Sequence, residues 1–208
     1  MKNLALACAD AFRFRERALL VALPGLLFMS SCASTRAKAP REALRHEVQT
    51  TAAGERILAE TVWLEAPVAD VWDAYTTEEG WTAWASPKAE IDLKAGGSIL
   101  TQYDKSKSIR DPGTNRLTIV SYVPETMLTL QADVSANWPE LLKEDAENLY
   151  NVILFDAIDE RRTLIRSYGL GYGNSEGYDA LLDFFAEANA GLLQDLKRYV
   201  EDGVRSEF

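Results

Sequence analysis

The chain has 208 residues, 22 basic and 32 acidic, with a net charge of −10 and one histidine. That balance argues against a nucleic-acid ligand, whose phosphates would be repelled, while 47% hydrophobic and 10% aromatic residues suffice for one buried core. The two cysteines are Cys8 and Cys32, so the rest of the chain has no intramolecular disulfide, zinc cluster or thiol nucleophile.

Lys2, Arg13, Arg15 and Arg17 come ahead of an apolar run over 18–29, which small residues close before Cys32. A spanning helix needs about 20 apolar residues, and Pro24-Gly25 interrupts this shorter run. Leu26-Leu27-Phe28-Met29-Ser30-Ser31-Cys32 resembles the lipobox of bacterial lipoprotein signal peptides, with Met29 where Leu is commoner. The resemblance implies loss of residues 1–31, lipid on Cys32, and a domain held in the cell envelope facing the periplasm. Ala33 rather than Asp after the cysteine implies the outer membrane in a Gram-negative host. Ordinary cleavage near Ser34, or retention as an anchor, are the competing readings. Four of the basic and two of the acidic residues fall in 1–31, so a chain starting at Cys32 carries −12. Such a surface does not grip anionic lipid, which leaves membrane attachment to the acyl chains.

Residues 32–54 read as a flexible lipidated tether with at most a short helix over 41–48, followed by one domain over 55–208. His46 lies in that tether and is expected to be solvated. A Ser-His-Asp or Cys-His site, or a histidine-based metal site, is therefore excluded from the domain. Calcium or magnesium held by carboxylates alone stays open, but there is no EF-hand run, and no cofactor is expected.

The domain opens with a β-favouring stretch, 57–65, ended by Ala66-Pro67. Val68, Val71, Trp72 and Tyr75 then repeat at helical spacing, and Thr77 is placed to cap a second short helix reaching Trp84. Six further strands are expected at 89–93, 98–103, 117–123, 127–134, 149–158 and 163–171. Turn residues such as Gly96-Gly97 and Pro124-Glu125-Thr126 separate them. Short hairpin links predict an antiparallel sheet. A long amphipathic helix is predicted over 176–202, with Tyr178, Leu182, Phe185, Leu192 and Leu196 on one face and Gly203 as its stop. Gly169-Leu170-Gly171-Tyr172-Gly173 ends a strand of an antiparallel sheet, which does not suit a dinucleotide site; close packing against the long helix is expected instead.

The stretches 66–84, 91–98, 120–128 and 192–200 resemble landmarks of the SRPBCC (START/Bet v 1-like) superfamily, in its branch similar to the activator of Hsp90 ATPase C-terminal domain. The resemblance covers about 56–202. It implies an α+β helix-grip: a seven-stranded curved antiparallel sheet wrapped around the C-terminal helix, with two short helices after the first strand and a cavity that accepts apolar small molecules. Two departures stand out. Gly191-Leu192 replaces the family's Gly-Trp pair, which bears on pocket shape, and the polar connection over 138–147 is long enough to act as a lid.

Such a cavity needs apolar walls and a few orienting polar groups. Trp84, Tyr103, Tyr122, Trp138, Arg166, Tyr168, Tyr172 and Phe185 are the candidate ligand contacts. Arg166 and Tyr168 share one face of their strand, and Arg166 suits a carboxylate or phosphate within the cavity. Strand parity is ambiguous where adjacent residues such as Leu164 and Ile165 are both apolar. The leading functional reading is a membrane-tethered periplasmic module that holds a small hydrophobic molecule. The alternatives are a cyclase- or hydrolase-like enzyme using tyrosine, Arg166 and water, or a protein-interaction domain without ligand. A periplasmic address weakens the last, because the chaperone of the branch's name is cytosolic; the identity of any protein partner is left open.

Overall fold

The computed structural model describes residues 44–133, 140–144 and 146–208. Cys32 and Trp138 lie outside them. The first element is β1 (Leu44–Thr50), which pairs antiparallel with β2 (Arg56–Leu64) from Leu44 opposite Val62 to Thr50 opposite Arg56. The expected spacer over 32–54 therefore contains a strand where at most a short helix was expected over 41–48. Among the described residues the sheet accordingly has eight strands, not seven. The pattern was hard to read because β1 lies at the sheet edge with all but Leu44 exposed, so it shows none of the apolar alternation that marks a strand.

The elements that follow match the predicted order. Helices α1 (Val68–Thr76) and α2 (Glu78–Trp84) follow β2. Thr77 Oγ1 accepts the Gly80 amide at 3.0 Å, as a cap should. Then come β3 (Ala89–Ile91), β4 (Ser98–Thr101), β5 (Asn115–Val123) and β6 (Met127–Asp133). A short helix α3 (Glu140–Glu144) and a single 3₁₀ turn (Ala146–Asn148) lead into β7 (Tyr150–Asp159) and β8 (Arg162–Tyr172). Helix α4 (Glu176–Asp202) ends at Gly203, whose φ of 70° lets its amide reach Tyr199 O and that of Val204 reach Arg198 O.

All strands pair antiparallel in the spatial order β1-β2-β8-β7-β6-β5-β4-β3. Side chains alternate across the sheet. On β8 the buried positions are Thr163, Ile165, Ser167 and Gly169, with Arg166 and Tyr168 on the opposite face. The inward face of β2 carries Leu58, Glu60, Val62 and Leu64. Helix α4 lies against this concave side and buries Tyr178, Leu182, Ala186, Leu193 and Leu196 at helical spacing.

The core is divided. A large cluster gathers Val62, Leu64, the aromatics of α1 and α2, Ile119, Phe155, Leu193 and Leu196. Two smaller ones hold Leu58, Leu182 and Ala186, and Leu142, Leu149 and Tyr178. The division falls at Glu60 on β2 and Asn189 on α4. The polar connection before β7 is anchored here, since α3 inserts fully buried Leu142 and Tyr178 Oη donates to Leu141 O at 3.3 Å.

Candidate functional site

Facing the middle of α4, the inward side of the sheet carries three polar residues, Glu60 on β2, Ser167 on β8 and Asn151 on β7, and Asn189 meets them from the helix. Glu60 pairs in register with Ser167. Asn189 Nδ2 donates to Glu60 Oε2 at 3.1 Å, and Ser167 Oγ donates to Asn151 Oδ1 at 3.0 Å. Glu60 is only 4% exposed, and its second oxygen, Oε1, has no hydrogen-bond partner. Burial pushes its carboxyl up to about 7, against a smaller lowering from Asn189. Burial, helped by the Glu60 charge, likewise raises the Tyr75 hydroxyl and lifts that of Tyr172 to about 12.

A cleft between α4 and the sheet opens around these groups in two overlapping lobes, of about 200 and about 180 Å³. Glu60, Leu117, Leu130, Asn151 and Asn189 line both. The first lobe continues past Leu142, Leu149, Tyr172 and Phe185. The second continues past Tyr75, Trp81, Trp84, Tyr103, Ile153 and Leu192. Trp84 is fixed by donating its indole N–H to Ala74 O at 2.9 Å, whereas Trp81 Nε1 is buried without a partner. The volume of either lobe suits a ligand of roughly ten heavy atoms, since a dry cavity of about 150 Å³ holds benzene. Among the described residues no three His, Cys, Asp or Glu side chains come together to hold a metal ion.

The predicted contacts divide accordingly. Trp84 and Tyr103 meet in the second lobe, with Tyr103 half-exposed, and Tyr172 and Phe185 meet in the first, their rings 6.1 Å apart. Tyr122 lines neither; it packs against Trp72 with ring centroids 6.2 Å apart. Arg166 is not in the cavity. It projects from the opposite face of β8 and forms two hydrogen bonds with Asp156, at 2.7 and 3.0 Å. Tyr168 shares that outer face and leaves the site for the same reason: inward parity on β8 belongs to Ile165 and Ser167. The glycine run also packs differently from expectation. A Cβ on Gly171, whose φ is 89°, would stand 1.9 Å from Asn148 O, and one on Gly169 would stand 2.9 Å from Tyr172 Oη. The close approach is therefore to the 3₁₀ turn and to the folded-back Tyr172 ring, not to the long helix.

Glu60, Asn151, Ser167 and Asn189 were missed from sequence, although a signal was present. Each is a lone polar residue at an otherwise apolar inward position: Leu58-x-Glu60-x-Val62, Leu149-x-Asn151-x-Ile153, Ile165-x-Ser167-x-Gly169, and Asn189 between Ala186 and Leu193.

A family model described as activator of Hsp90 ATPase homolog 1-like protein matches residues 65–201. Among solved structures, the Aha1 dimer from Colwellia psychrerythraea is similar at 15% identity and a TM-score of 0.54, over 71% of this chain and 97% of that one. CalU16 from Micromonospora echinospora is similar at 20% identity and a TM-score of 0.56, over 79% and 88% of the two chains. At such identities the likeness is one of fold. No curated protein sequence matches the chain.

Proposed function

Because the chain belongs to the activator of Hsp90 ATPase homolog 1-like family, we propose that its helix-grip domain is a binding module that holds a small, largely apolar molecule between α4 and the sheet. One observation carries this reading. Helix α4 buries its stripe at both ends but not around Asn189, where a cleft with apolar walls and few polar groups takes the place of packed side chains. Acylation of Cys32 would tether the module to the membrane with the cleft facing the periplasm. Native mass spectrometry of the purified protein tests the binding: a small molecule should travel with the folded chain, and apolar ligands should raise the melting point through preferential binding to the folded state. For the tether, Cys32→Ser should abolish membrane retention and lipid labelling.

A catalytic reading has one favouring observation, the buried Glu60 carboxyl poised near neutrality inside the cleft. Such chemistry would run through Glu60 and no longer through Arg166. Glu60→Gln would then abolish turnover of a bound ligand while leaving its binding measurable.

A further inference from the structure

The charge pattern of the cleft narrows the class of ligand, an inference that rests on the binding reading above. Among the described residues, its two lobes are lined by a single carboxyl group, that of Glu60, and by no lysine, arginine or histidine. Cations on neighbouring elements are engaged elsewhere: Arg56 with Asp179, and Lys197 with Glu201 and Trp63 O. His46 stands opposite Glu60 in the β1–β2 register but is exposed at the sheet edge.

Glu60 Oε1 is therefore a buried acceptor that the protein leaves without a donor. Such an atom is costly to bury unless something supplies the missing hydrogen bond. The surrounding walls are rich in aromatic faces, among them Trp81, Trp84, Tyr103 and Tyr172, and aromatic faces attract cations in desolvated sites. A ligand bearing a carboxylate would instead set a second negative charge beside Glu60, where no cation among the described lining residues compensates. Trp81 Nε1, the other orphaned atom of the second lobe, offers a donor to an oxygen carried on the ligand.

We propose that the cleft takes a lipophilic amine, its ammonium group hydrogen-bonded to Glu60 Oε1 and its apolar body lying along the two lobes. Fatty acids and other apolar anions are disfavoured by the same geometry.

Isothermal titration of the full-length protein with 4-phenylbutylamine, 4-phenylbutanol and 4-phenylbutyrate tests this. The three share an apolar body of a size that suits the cleft and differ in the charge of one end. The amine should bind at least tenfold more tightly than the alcohol, and the carboxylate most weakly. In Glu60→Gln the preference for the amine over the alcohol should vanish. The wild-type comparison needs no variant and so decides the matter even if the substitution disturbs folding. Alcohol or carboxylate binding as tight as that of the amine would overturn the amine assignment and leave an apolar binding cleft standing. An amine preference that survives Glu60→Gln would overturn it too, by placing the ammonium elsewhere. Binding of none of the three would overturn the cleft reading and this inference with it.

Discussion

Asn189 donates a 3.1 Å hydrogen bond to Glu60 across the space between α4 and β2, and this contact marks where the core divides. On β2, Leu58 packs in one cluster and Val62 in another; on α4, Ala186 and Leu193 divide in the same way. A polar pair at that level keeps the helix from closing onto the sheet, because an apolar seal over a carboxyl group would strand it without solvent or partner.

The first prediction concerns pH. Glu60 takes up its proton at about 7 in the folded protein against an ordinary value of 4.5. Between those values the folded state binds more protons than the unfolded one, so stability falls as pH rises from about 4.5 to about 7 and then levels off. The difference corresponds to about 3 kcal/mol. Glu60→Gln should be more stable than wild type at pH 8, by up to that amount, and show no gain near pH 4. Urea unfolding at the two pH values checks it.

Removing the partner should act in the opposite sense. In Asn189→Ala the carboxyl loses the hydrogen bond that favours its charged form, so its titration moves further up. Stability at pH 8 should fall by about 1–2 kcal/mol. The same urea experiment should show the decline with pH reaching beyond 7.

Two glycines give a contrast in one measurement. A side chain on Gly171 meets the Asn148 carbonyl in a left-handed backbone, whereas one on Gly191 meets nothing within 4 Å in the middle of a helix. Gly171→Ala should lower the melting temperature, with a cost of about 2 kcal/mol or more. Gly191→Ala should leave it unchanged or raise stability by about 0.5–1 kcal/mol. Thermal unfolding monitored by circular dichroism distinguishes them.

Arg166→Ala tests the assignment of faces. The Arg166–Asp156 pair is substantially exposed, at 40% and 36% for the two side chains, and such pairs are worth about 0–1 kcal/mol. Ligand affinity should stay within about twofold of wild type, and stability within about 1 kcal/mol. A large loss of affinity would mean that β8 presents its other face to the ligand.

What the sequence made legible followed from periodicity and turn chemistry. The stripe of α4, the Thr77 cap, the Gly203 stop and the hairpin at Gly96-Gly97 are set by local rules that tertiary packing did not override. Strand β1 escaped because an exposed edge strand has no apolar alternation to betray it. The faces of β8 escaped for a different reason. Leu164 is apolar on the outer side beside the inward Ile165, so hydrophobicity alone did not separate the two parities. Ser167 and Gly169, small and non-descript in sequence, turned out to face inward, while the conspicuous Arg166 and Tyr168 face outward. The polar residues inside the cleft were readable only as interruptions of an apolar register, a signal that requires the parity to be known first.

The central claim is that the cleft between α4 and the sheet is a ligand site. Its most direct test is a ¹³C-methyl NMR titration of the protein with 4-phenylbutanol. Saturable shifts should appear at Leu130, Leu142 and Leu192, which line the cleft, with Leu164 on the convex face unmoved. Shifts that never saturate, or that appear at Leu164 while the cleft methyls stay still, would contradict it.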